Sequence, residues 1–109
     1  MAKILIFKGA NIDAQNVNGN TALMCAVMND NRELVELLIE NGANINVQNV
    51  NGNTALMCAA VNDNIELIEL LLKNGANINA QNVNGNTVLA YAFNDERIKQ
   101  LLLERSTQN

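Results

Sequence analysis

The chain has 109 residues, enough for one small domain, and 49% of them are hydrophobic, so it can bury a core and is not of the disordered class. Only 3% are aromatic, so that core must be built from Leu, Ile, Val, Ala and Met. The formal net charge of −4 and the pI near 4.6 repel a phosphate backbone and argue against nucleic-acid binding.

Taken in chain order, Met1-Ala2-Lys3 leads into four apolar residues, 4–7, closed by Lys8. That run is too short for the apolar region of a secretory signal. No later run approaches the 18 apolar residues of a membrane-spanning helix, so no membrane segment is expected. Asn18-Gly19 is a strong short turn signal. Thr21 then stands where a helix cap belongs, ahead of the apolar segment Ala22–Met28. Asn29-Asp30-Asn31 reads as a tight turn, because Asn and Asp tolerate the left-handed backbone and can cap the helix that follows. The spacing then predicts a second helix over Arg32–Glu40, with Leu34, Val35, Leu37 and Leu38 on one stripe and Glu33, Glu36 and Glu40 opposite. Asn41-Gly42 ends it, Gly supplying a left-handed C-cap. An extended stretch of alternating character runs from Ala43 to the next Asn-Gly, at Asn51-Gly52.

The series then repeats. Residues 16–48 and 49–81 align without gaps and differ only at Val27/Ala60, Met28/Val61, Arg32/Ile65, Val35/Ile68, Ile39/Leu72, Glu40/Lys73 and Val47/Ala80. All but two of these changes exchange apolar for apolar. Residues 3–15 match the end of a unit and residues 82–109 the start of another, the latter about two residues short between Tyr91 and Leu103. The chain is therefore expected to be a single domain over 1–109, comprising a partial repeat (1–15), two full repeats (16–48 and 49–81) and a C-terminal capping repeat (82–109). A helix-turn-helix unit of this size cannot bury its apolar face alone, whereas a stack of such units can.

Gly19-Asn20-Thr21-Ala22-Leu23, and Leu37-Leu38 followed three residues on by Asn41-Gly42-Ala43, both recur 33 residues later. In length and in these motifs the unit resembles the ankyrin repeat. The resemblance implies an all-α fold, a helix-turn-helix ankyrin-repeat solenoid with projecting β-turn or hairpin loops. The family usually carries Thr-Pro-Leu-His at the first helix, where this chain has Thr-Ala-Leu-Met at 21–24 and 54–57 and Thr-Val-Leu-Ala at 87–90. Asn44 and Asn77 replace the usual Asp, and Asp30 and Asp63 the usual inter-helix Gly. With the His network gone, apolar packing is expected to join the repeats. The C-terminal helix, with Arg97, Lys99, Gln100, Glu104 and Arg105, suits a polar outer cap, while the N-terminal edge carries no comparable cap.

Function is expected to be binding of another protein, through the turn tips and the concave helix face. Positions carried over from the family are Gln15, Val17, Asn18, Asn20, Met28 and Asn29 in one unit, Gln48, Val50, Asn51, Asn53, Val61 and Asn62 in the next, and Gln81, Val83, Asn84 and Asn86 in the last. This ladder of Val and Asn offers donors and acceptors to a partner backbone. Its uniformity also fits simple duplication of good turn residues. The alternatives are a structural or self-assembling element that forms a homo-oligomer through the N-terminal edge, or an engineered model repeat protein. The family resemblance further implies Asn46 and Asn79 as hydroxylation positions, since each lies eight residues after a Leu, at Leu38 and Leu71.

Catalysis has little support. There is no His, the commonest general base, and no clustered metal ligand set or cofactor motif. Cys25 and Cys58 fall 33 residues apart in the same local context, so each reads as a repeat position. Equivalent residues of stacked helices stand about 8–10 Å apart, beyond disulfide reach. Free thiols fit a reducing, cytoplasmic compartment, with secretion into a host cell left open.

Overall fold

The computed structural model describes residues 11–92 and 95–106, without the side chain of Ser106. The expectations for residues 3–8 and for the N-terminal edge before Asn11 lie outside the described residues. Within them the helices are α1 (Ala22–Met28), α2 (Arg32–Glu40), α3 (Ala55–Val61), α4 (Ile65–Lys73) and α5 (Glu96–Ser106), with a 3-10 helix at Val88–Tyr91 and no strand. The bounds of α1 and α2 are those expected from the sequence.

Local chemistry sets these elements. Thr21 Oγ1 accepts from Met24 N at 3.3 Å and Thr54 Oγ1 from Met57 N at 3.4 Å, so each first helix is capped by its threonine. Asp30 and Asp63 take left-handed backbones, with φ of 54° and 56°. The reversal brings Asn31 and Asn64 to the start of the second helices, where their side chains accept from Leu34 N (3.2 Å) and Leu67 N (3.1 Å). After Gly42, Ala43 N donates back to Leu38 O at 3.0 Å and closes α2; Ala76 N to Leu71 O does the same for α4.

Each helix pair packs on itself, α3 packs on α1, the 3-10 helix on α3, and α5 on α4. The layers enclose one aliphatic core: Leu23, Met24, Val27, Val35 and Leu38, then Leu56, Met57, Leu67, Ile68 and Leu71, then Val88, Ile98 and Leu102. No buried side-chain polar atom among the described residues lacks a hydrogen bond.

The last unit departs from the pattern. Thr87 makes no capping hydrogen bond, and the expected first helix shrinks to the four-residue 3-10 turn. A unit about two residues short leaves too little chain to wind a full helix before Asp95 caps α5. Thr54→Ala should therefore lower unfolding stability by about 1 kcal/mol, the worth of a threonine N-cap. Thr87→Ala should change it far less, and urea titration of the two variants makes the comparison.

The shortened unit also alters the contact between inter-helix turns. Asp30 accepts from Asn64 Nδ2 at 3.0 Å. One repeat on, Asp63 meets Asp95 instead, the residue that caps α5 and pairs with Arg97 at 3.4 Å. A hydrogen bond shared with Asp95, then desolvation, then the like charge hold the Asp63 carboxyl above its ordinary range, while the Arg97 guanidinium draws it down. Arg97 first, together with the hydrogen bonds from Asp63 and the α5 backbone, holds Asp95 below its range. The two have opposite signs in linkage. The raised Asp63 contributes stability that is complete below its unfolded value and is lost as pH rises through its folded value; the depressed Asp95 contributes above its unfolded value and loses it as pH falls. Asp63→Asn restores the Asn–Asp pairing of the preceding turn. Denaturant midpoints across pH should show this variant more stable than wild type at neutral pH, with the gap closing towards the ordinary carboxylate range.

Candidate protein-interaction surface

The turn tips are built by asparagine. Asn16 Oδ1 accepts from Asn18 N (2.9 Å) and Asn20 N (3.0 Å), while Gly19 N donates to Asn16 O at 2.8 Å. Asn49 and Asn82 repeat the arrangement in their own tips. Successive tips then lie edge to edge: Val50 N donates to Asn18 O at 3.1 Å and Val83 N to Asn51 O at 2.9 Å. The approach is close enough that a Cβ on Gly19 would sit 2.6 Å from Val50 N, and one on Gly52 would sit 2.8 Å from both Asn82 Cα and Val83 N.

Side chains bind the tips further. Gln15 Nε2 donates to Gly19 O (2.7 Å) in its own tip and to Gln48 O (3.1 Å) in the next; Gln48 does the same to Gly52 O and Gln81 O, both at 2.9 Å. Asn49 Nδ2 donates to Asn20 Oδ1 at 2.9 Å and Asn82 Nδ2 to Asn53 Oδ1 at 3.0 Å. Asn82, 8% exposed, also donates to Tyr91 Oη at 2.7 Å. The expectation that apolar packing alone joins the repeats is therefore corrected. A Gln and Asn network crosses every tip contact, because the amides carry both donor and acceptor and can span adjacent backbones.

This divides the expected ladder into two groups. Gln15, Gln48, Asn20, Asn53 and Asn62 are engaged between repeats, Asn62 through Nδ2 to Met28 O at 2.9 Å, and Asn29 is engaged with Cys25 O at 2.8 Å within its own helix. The side chains of Asn18, Asn51, Asn84, Gln81 and Asn86 make no hydrogen bond among the described residues. The apolar members stand outward: Val17 is 94% exposed, Val50 63% and Val83 70%, on adjoining tips. Met28 (41%) and Val61 (63%) form a second line at the ends of α1 and α3. Of the two family-implied hydroxylation positions, Asn46 is held at both ends, its Nδ2 donating to Gly75 O (3.1 Å) and its Oδ1 accepting from Asn77 N (2.8 Å). Asn79 is exposed, and its side chain makes no such bond. The inter-repeat amides escaped the sequence reading, although the recurrence of Gln two residues before Val at 15, 48 and 81 was a visible signal for them.

Cys25 and Cys58 are free thiols. Burial, then the neighbouring Cys25, pushes the Cys58 thiol above its ordinary value, which keeps it protonated and poorly nucleophilic at neutral pH. Among the described residues no helix is long and apolar enough to cross a membrane.

A family model for ankyrin repeats matches three copies over residues 1–82. The chain belongs to the ankyrin-repeat family. No curated protein matches it significantly. Ankyrin repeats are in general protein–protein interaction modules, and the family is typically a non-enzymatic scaffold. In this ankyrin stack the apolar lines are exposed and five amides are unengaged among the described residues, while Gln15, Gln48, Asn20 and Asn53 join successive tips.

Proposed function

We propose that the protein is an interaction scaffold that binds another protein across the tips, with Val17, Val50 and Val83 as the apolar contact line, Met28 and Val61 as a second line, and Asn18, Asn51 and Asn84 supplying hydrogen bonds beside them. The observation that carries this reading is the exposure of five large apolar side chains in two repeated lines, the tip line flanked by the Asn18, Asn51 and Asn84 side chains, which make no hydrogen bond among the described residues. Exposed apolar residues set in register mark interaction sites, and backbone-reading amides beside them add orientation. The line is short, which suits modest affinity or a portion of a larger surface. A cytoplasmic, reducing setting supports two unpaired thiols.

Pull-down with the wild-type chain and with Val17, Val50 and Val83 all changed to Asp tests the surface. These side chains are exposed, so the variant should fold with near-unchanged stability and lose at least about tenfold in affinity for each specific partner, the loss expected from removing about 1.4 kcal/mol of apolar contact. An identical captured set from both proteins would place binding elsewhere.

A further inference from the structure

Two helices that pack on each other carry a thiol at the same place. Cys25 lies on α1 and Cys58 on α3, one repeat apart, and both are free and half-buried. Hydrogen bonds fix the register of the two helices next to them. Asn62 Nδ2, at the end of α3, donates to Met28 O at 2.9 Å and to Val27 O at 3.3 Å, at the end of α1. Asn29 Nδ2 holds Cys25 O at 2.8 Å, and the Thr21 and Thr54 caps hold the other ends of the helices. Burial first, then the neighbouring Cys25, raises the Cys58 thiol, so the two sulfurs sense each other across the helix contact. In the last unit Tyr91 takes the same place, its Oη accepting from Asn82 Nδ2 at 2.7 Å. The row therefore holds one pair of thiols among the described residues.

The spacing decides what such a pair can do. Equivalent residues on stacked helices stand about 8–10 Å apart. A disulfide reaches no further than about 7 Å between Cα atoms. Replacing its S–S bond of roughly 2 Å by two metal–sulfur bonds of about 2.3 Å each lengthens that reach to about 9.5 Å. An ion held between the sulfurs spans the gap that a disulfide cannot. Ligand number and softness then choose the ion. Among the described residues no group of three or more His, Cys, Asp or Glu could hold a metal. A four-coordinate ion such as zinc thus finds too few ligands. Soft sulfur ligands without nitrogen or oxygen partners select copper(I), which two opposed thiolates suffice to bind.

We infer that Cys25 and Cys58 together form a two-coordinate copper(I) site that clips the first helices of adjoining repeats. On binding, each Sγ gives its proton to solvent and forms one bond to copper. The ion keeps its oxidation state, so no oxidant or reductant enters. Two thiolates and one monovalent cation leave a single negative charge where two would repel. Val17, Val50 and Val83 take no part, so the inference stands apart from the valine-line proposal.

Titration of the full chain with copper(I), kept reduced by ascorbate without oxygen and competed by a chromophoric chelator, tests it. One ion per chain should bind, with thiolate-to-copper charge transfer in the ultraviolet, a window left open by the absence of Trp and the single Tyr. The loaded protein should keep the mass of one chain, 11.9 kDa; copper that binds only by joining two chains overturns the inference. Cys25→Ser and Cys58→Ser should each weaken binding by at least about 100-fold, the upper end of what loss of even an outer-shell partner costs. Circular dichroism checks that each variant folds, and alanine replaces serine where one does not. Copper should also raise the urea midpoint of the wild type and of neither variant, since an ion bound to the folded state alone stabilises it. No uptake against the chelator, or wild-type affinity in either single-cysteine variant, overturns the inference.

Discussion

Leu71→Ala should lower the free energy of unfolding by about 2–5 kcal/mol, the range for emptying a fully enclosed leucine site. Leu71 is 0% exposed in α4, the central second helix, with α3 packed on one side and α5 on another. It belongs to an aliphatic core whose members sit on separate helices, so the core can close only part of the void. A domain of this size has about 5–15 kcal/mol in all, and one substitution therefore removes a large fraction. In a repeat stack the damage reaches further, because each unit is stable mainly through its neighbours. Loss of the central layer should also lower cooperativity, with the last unit melting ahead of the rest. Urea unfolding followed by circular dichroism measures both effects. Val17→Ala, at a 94% exposed position, is the control and should stay within about 0.5 kcal/mol of wild type.

Gly52→Ala should cost about 2–4 kcal/mol, and Gly85→Ala only about 1–2 kcal/mol. Both glycines have left-handed backbones, with φ of 79° and 80°, so an added Cβ incurs the same strain of about 1–2 kcal/mol at each. They differ in what the Cβ meets. At Gly52 it falls 2.8 Å from Asn82 Cα and Val83 N, which are backbone atoms that can retreat only by opening the tip contact. Gly85 has nothing within 4 Å. The difference between the two variants, measured by urea titration of dilute protein, is therefore the worth of close tip stacking at one repeat boundary.

The fold was legible because its signals are local. Thr21, the apolar segment behind it, Asn29-Asp30-Asn31 and Asn41-Gly42 each act on neighbours within a few residues, so the bounds of α1 and α2 follow from spacing alone. The last unit misled for the same reason: Thr87 has the local look of a cap, but the shortened chain after Tyr91 prevents the helix it would cap. The roles of the amides were hidden for a different reason. The partners of Gln15, Asn49 and Asn82 lie 29–33 residues away, and only the stack brings them together. Sequence reading treated Asn20 and Asn53 as outward-facing members of a binding ladder; their Oδ1 atoms instead accept bonds from the next repeat. The exposed valines were legible, because a Val in an Asn-Gly turn has no local apolar neighbour to cover it.

Amide hydrogen exchange of Val17, Val50 and Val83, followed by NMR on dilute protein, tests the stacked-tip account most directly. The three valines share one residue type in one kind of turn and are all exposed, but Val50 N and Val83 N donate to the preceding tip whereas Val17 N has no partner among the described residues. Protection of Val50 and Val83 together with rapid exchange at Val17 is the expected result. Equal exchange at all three would contradict it, since the tips would then stand apart.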